Sequence, residues 1–190
     1  MKILLALISL ILITAAEPAM QGIKVGSPES ALAKLPFKQI AKNEAITKFR
    51  TDNGNDFVVT LEEGKVVYME NDWNQTTDGA ASLLTGFTFG QTSLKDIRKR
   101  FDSKGFVYAH NQNLITKEYM YEFHCFEVET AVPQVLVVVT KIPFSTNVTE
   151  NTDIAQKLKL DAIVLASPDY LEFLWGEQKS YSDTNKRVRL

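Results

Sequence analysis

Phe57-Val58-Val59-Thr60-Leu61, turned by Glu62-Glu63-Gly64-Lys65 into Val66-Val67-Tyr68-Met69, reads as a β-hairpin. Two runs rich in β-branched and aromatic residues flank a short charged turn with glycine in its third place. Upstream, Ala45 to Arg50 supplies another strand, and Thr51-Asp52-Asn53-Gly54-Asn55-Asp56 is the polar turn that joins it to the hairpin. Further back, Gly26-Ser27-Pro28-Glu29 opens a short helix. Ser27 can cap its free amides, Pro28 suits the first helical position, and Glu29 faces the positive end of the dipole. Ala31, Leu32 and Leu35 form its apolar stripe, and Pro36 stops it. Residues 22–75 thus read as a helix followed by a three-stranded meander.

The same order follows a second time. Asn71 to Asp78 is a polar break and reads as a linker, and Ala80 to Leu84 as a brief helix. Gly90-Gln91-Thr92-Ser93 then opens a helix that Thr92 or Ser93 can cap, with Asp96 at the capping-box offset from Ser93. Leu94, Ile97 and Phe101 share one helical face, and Lys104-Gly105 ends the helix. Strands are expected at Phe106 to Ala109, Glu118 to Glu129 and Val135 to Ile142, giving a second unit over 84–143. Superposing Ser27 on Thr92 brings Leu32 onto Ile97 without a gap, although direct identity between the units is low.

The remainder, 148–190, differs. Thr149 to Leu160 has helical periodicity. Ala162-Ile163-Val164-Leu165 fits a buried strand or a continuation of that helix. Ser167-Pro168-Asp169 starts a helix that runs through Tyr170, Leu171, Leu174 and Trp175 to Gly176. Tyr181 to Leu190 ends basic, at Lys186, Arg187 and Arg189, and reads as frayed. The fold class expected is α+β: two tandem helix-plus-antiparallel-sheet modules with a C-terminal helical segment.

Composition narrows the function. The chain has 190 residues, 45% hydrophobic and 23% charged, with a net charge of −2. Met1-Lys2, an apolar run from Ile3 to Ile13, and Thr14-Ala15-Ala16 form a signal-peptide pattern over 1–16, too short to span a bilayer. No cysteine follows the run to accept a lipid anchor, and no second apolar segment has membrane length. The acidic balance gives no electrostatic case for nucleic acid. A periplasmic or secreted location follows. On a eukaryotic secretory route, Asn74-Gln75-Thr76 and Asn147-Val148-Thr149 would be glycosylation acceptors; in a bacterial periplasm they carry no meaning.

Chemistry is sparse. Cys125 stands alone, so no internal disulfide can form. Its neighbour His124 leaves the same strand on the opposite face, and His110 could reach it only through tertiary structure. Cys125 shares its face with Tyr119, Tyr121 and Phe123 and reads as a small core residue. Two histidines without HxH or HExxH spacing build no metal site. Glu62-Glu63, Glu127 with Glu129, Asp161, Asp169 and Glu172 offer carboxylates in no distinctive setting. No nucleophile elbow, phosphate loop or dinucleotide fingerprint is present, so no cofactor is implied. The cluster Lys95, Arg98, Lys99, Arg100 and Lys104 could meet an acidic partner or an anionic lipid surface, but reads better as the solvated face of a helix. Tyr68, Trp73 and Trp175 are the candidate binding anchors.

Gly90-Gln91-Thr92-Ser93-Leu94-Lys95-Asp96-Ile97-Arg98-Lys99-Arg100-Phe101 resembles the helix entry of BamE-like (SmpA/OmlA) modules, and Gly26 to Leu35 is a shorter version. Two such modules in tandem are similar to the architecture of β-lactamase inhibitory protein. The resemblance implies small modules that bind other proteins of the cell envelope. The lipidated cysteine of the assembly-machinery members and the disulfide in each module of the inhibitory protein have no counterpart here. The expectation is therefore a secreted or periplasmic non-enzymatic protein-binding module, an inhibitor or an envelope-assembly accessory. The alternatives are a small hydrolase using carboxylates or Cys125 with His110, and a carrier of a small apolar ligand.

Overall fold

The computed structural model describes residues 17–76, 79–111, 113–182 and 186–190. The signal-peptide reading of 1–16 lies outside them. The strands are β1 (Lys38–Lys42), β2 (Ile46–Arg50), β3 (Asp56–Glu62), β4 (Lys65–Asp72), β5 (Phe106–Tyr108), β6 (Asn113–Ile115), β7 (Tyr119–Val128), β8 (Gln134–Pro143), β9 (Lys159–Ala166) and β10 (Lys179–Tyr181). The helices are α1 (Leu94–Phe101), the single turn α2 (Ile154–Lys157) and α3 (Pro168–Trp175), with a 3-10 turn at Glu29–Lys34.

These strands all join one sheet, in the order β1-β2-β3-β4-β9-β8-β7-β5-β10, with β6 beside β7. Every named pairing is antiparallel. This overturns the reading as two tandem modules with a C-terminal helical segment. β9 lies between β4 and β8 and bonds to both, so the two expected meanders are halves of one sheet. The reason is in β9 itself: Leu160 and Ala162 through Ala166 are all buried, the continuous apolar run of a strand covered on both faces. A helix would have turned half of that run to solvent.

The local signals fare differently. Glu63 and Gly64 both have positive φ (49° and 71°) between the paired Glu62 and Lys65, the backbone of a type I′ turn. Ser93 caps α1 in a full capping box with Asp96, and Leu94, Ile97 and Phe101 are buried as the stripe requires. Ser167 caps α3, with Pro168 in its first turn.

Other readings are corrected. Ser27 does not cap the first turn; its hydroxyl accepts from Lys24 N at 3.0 Å, and Pro28 holds the cap position. Asn71 and Asp72 are the end of β4, and Asn71 is buried, so the polar run begins inside a core strand. Residues 80–84 form no helix; Ala81 bridges Thr88 instead. The expected helix at Thr149 to Leu160 shrinks to one turn. Leu158 and Leu160 exchange main-chain bonds with Thr92 and Leu94, which draws the chain into β9. Of the end expected to fray, 183–185 lie outside the described residues, and Val188 is 2% exposed and bridges Val128 in parallel.

The sheet has a core on each side. The larger one takes Phe57, Met69, Leu136, Ile163 and Leu165 from the sheet and Ile97 and Phe101 from α1. The smaller one takes Tyr108, Cys125, Val137, Val164 and Leu171 under α3.

Candidate functional site

Alternation along β4 sends Tyr68, Glu70 and Asp72 to the side of the sheet that α3 partly covers. Register adds to them. Asp56 on β3 stands directly opposite Asp72, and Val58 opposite Glu70. On the other flank, β9 slips register between Val139 and Thr140, and the extra residue is Asp161. Four carboxyl groups thus gather on one stretch of sheet.

Three cations answer them. Lys48 and Arg50 reach Asp56 at 2.6 and 2.7 Å, and Lys141 reaches Asp161 at 2.5 Å. Lys141 is 6% exposed and lies 4.8 Å from the centre of the Trp73 ring and 4.9 Å from that of Tyr119. Four acids against three cations leave one negative charge, which the half-buried floor disfavours. Glu70 and Asp72 hydrogen-bond to each other, which eases that charge. Burial, then the charge of Glu70, pushes the Asp72 carboxyl up to about 8. Burial raises Glu70 as well, against the pull of its bonds to Tyr68 and Asp72. The Tyr68 hydroxyl donates to Glu70 at 2.9 Å, and burial, ahead of the Glu70 charge, raises its own pKa.

Beside this floor stands α3. Leu171 is fully buried beneath it, Tyr170 lies 5.6 Å from Tyr68 ring to ring, and Trp175 packs on Tyr108 and Phe123. The outer side carries Phe173, 82% exposed, and Leu174. Of the three expected anchors, Tyr68 on β4 and Trp175 at the end of α3 both pack on the smaller core. Trp73 packs on the larger core instead. Glu70, Asp72, Asp56 and Phe173 do not stand out in the sequence. The alternation Tyr68-x-Glu70-x-Asp72 is the one visible signal of the floor.

The remaining candidates take structural places. Cys125 is buried, and desolvation raises its thiol, the opposite of an activated nucleophile. His124 bonds Glu122 at 3.1 Å on its own strand. Lys95 pairs with Asp153, and the Arg100 guanidinium lies 4.6 Å from the Phe87 ring centre. Asn74 is tied down, its amide donating to the carbonyl of Gly54. Among the described residues, no group of three or more His, Cys, Asp or Glu is arranged to hold a metal. Among the same residues, no helix is long and apolar enough to cross a membrane.

No protein-family model matches the chain, and no curated protein sequence does. Two solved structures are similar in shape. One is a cysteine-rich secretory protein from Staphylococcus aureus, with TM-score 0.47 and 11% identity over 92% of this chain and 55% of that one. The other is an extracellular protein containing an SCP domain from Bacillus anthracis, with TM-score 0.39 and 15% identity over 96% and 56%. The chain spans about half the length of each. Likeness at this level transfers no residue and no activity. Neither is a BamE-like module or a β-lactamase inhibitory protein. The resemblance seen in Gly90 to Phe101 is overturned by the undivided sheet: those residues describe how a capped helix begins, which many folds share.

Proposed function

We propose that the chain is an exported, non-enzymatic binding module that recognises another protein of the cell envelope through the α3 side of its sheet. The observation that carries this is Phe173, 82% exposed on a helix whose Leu171 is fully buried. A ring held out by an anchored helix loses little further freedom when a partner covers it. Leu174 and Tyr170 flank it, and the Glu172–Lys179 ion pair of 2.9 Å gives a polar margin. Tyr68 and Trp175 act in this reading as supports that fix α3. Export rests on the pattern of residues 1–16. The buried thiol of Cys125 argues against the cysteine-hydrolase alternative.

The test is a pull-down from an envelope extract with wild-type protein and F173A, read by mass spectrometry. One partner held by the wild type and lost with F173A, with the melting temperature unchanged, is the expected result. Capture that is equal for wild type, F173A and Y170A would overturn it.

A further inference from the structure

Opposite ends of the chain's charge pattern meet at the margin of β7. Segment Lys186–Leu190 lies along it, with Val188 N donating to Glu127 O and Glu129 N donating to Val188 O, both at 2.8 Å. Val188 is 2% exposed and belongs to the larger core. Three basic side chains flank it, and each meets an acid. Lys186 bonds Asp102 at 2.6 Å, Arg187 Nε lies 3.9 Å from Glu127, and Arg189 grips both oxygens of Glu129 at 2.6 and 2.8 Å. A cavity of about 190 Å³ lined by Glu127, Thr130, Pro133, Pro168 and Arg187, among others, continues the margin.

We propose that the β7 margin at Glu127–Glu129 is a peptide slot for extended segments of basic–aliphatic–basic pattern, with Lys186–Leu190 as its resident occupant in cis. This goes beyond the α3 reading and stands apart from it. The recognition elements are those of strand addition: main-chain pairing for affinity, one buried side chain for register and charges for specificity. None of them needs the occupant to be this chain. The ion pairs are solvent-exposed, and such pairs contribute little singly. Val188 and the two main-chain bonds therefore do most of the holding, and a free segment of the same chemistry can exchange with the tethered one when it opens. The partner is a protein with an exposed stretch such as Lys-Arg-Val-Arg.

The experiment titrates the full chain and V188S with the peptide Lys-Arg-Val-Arg-Leu, following amide resonances. V188S keeps the tether but empties the aliphatic position. Because a competing occupant reduces the fraction of open slot, the Kd for V188S is expected to be at least about tenfold lower than for wild type. Shifts should centre on Glu127 to Glu129, weaken several-fold on going from low to high salt, and vanish with Lys-Arg-Asp-Arg-Leu. Equal affinity for wild type and V188S, shifts elsewhere, or equal binding of the aspartate peptide would overturn the slot. If V188S does not fold, R189E loosens the segment with Val188 in place, and the same tighter binding relative to wild type decides the matter.

Discussion

Asp72→Asn is expected to stabilise the protein at neutral pH, and by more as the pH rises. The Asp72 carboxyl titrates at about 8 in the folded chain against an ordinary value of 3.8. Between those values the folded protein holds a proton that the unfolded chain has released. The stability conferred by the protonated pair is complete below the ordinary value and drains away as pH rises through the folded one. A single retained proton costs about 1.4 kcal/mol per pH unit inside that window, less towards its upper end, and solvent at this half-buried floor narrows the window. From pH 5 to 8 the wild type should lose about 3 kcal/mol from this source. The amide introduced by D72N can donate to Glu70 as the acid proton does, without a proton to lose. The D72N slope should therefore be shallower, with Glu70, itself raised by burial, supplying what remains, and the gain about 2 kcal/mol at pH 8. Asp96, Asp102, Glu129 and Asp153 have lowered values and pull the other way, but only in the acid range below their ordinary values. Urea unfolding followed by tryptophan fluorescence at pH 5, 6, 7 and 8 gives the reading. With a denaturant slope of roughly 2 kcal/mol per molar, the wild-type midpoint should fall about 0.5 M per pH unit. A wild-type midpoint that holds steady or rises, or a D72N midpoint that falls in parallel, would refute the shared proton.

Other outcomes are expected at single sites. Gly105 has φ +72°, and a Cβ there would strike the carbonyl of Cys125, so G105A should cost about 3 kcal/mol in a thermal melt; a loss under about 1 kcal/mol would contradict that geometry. Leu165 is fully buried in the middle of the sheet, and L165A should cost about 3 kcal/mol by urea unfolding, whereas an edge strand would tolerate it. The Cys125 thiol should react with a thiol reagent on the order of a hundredfold more slowly folded than unfolded; equal rates would show that it is not sealed.

The floor shows why a site can be half visible. Tyr68, Glu70 and Asp72 follow one another at a spacing of two, so their common face is readable from β4 alone. Asp56 joins them only because the type I′ turn places it opposite Asp72, and Asp161 only because β9 bulges at that residue. Neither the neighbour of a strand nor the place of its bulge is written in the strand. β1 and β6 escape a reading of the sequence for a related reason. Both are exposed throughout and carry no alternating pattern, since an edge strand is held by main-chain pairing with its neighbour.

The features legible in the chain before folding lie within a few residues of their cause. The Glu63-Gly64 turn, the Ser93–Asp96 capping box, the start of α3 at Ser167-Pro168 and the burial of Cys125 all follow from sterics and hydrogen bonds among near neighbours, or from alternation along one strand. The rest came with long-range pairing: one sheet in place of two modules, β9 in its centre, Glu70 and Asp72 bonded beside Asp56 and Asp161, and a basic segment laid along β7. Each of these depends on pairing between residues far apart in the chain. Many pairings bury the same apolar residues, and only the packing of the whole sheet selects among them.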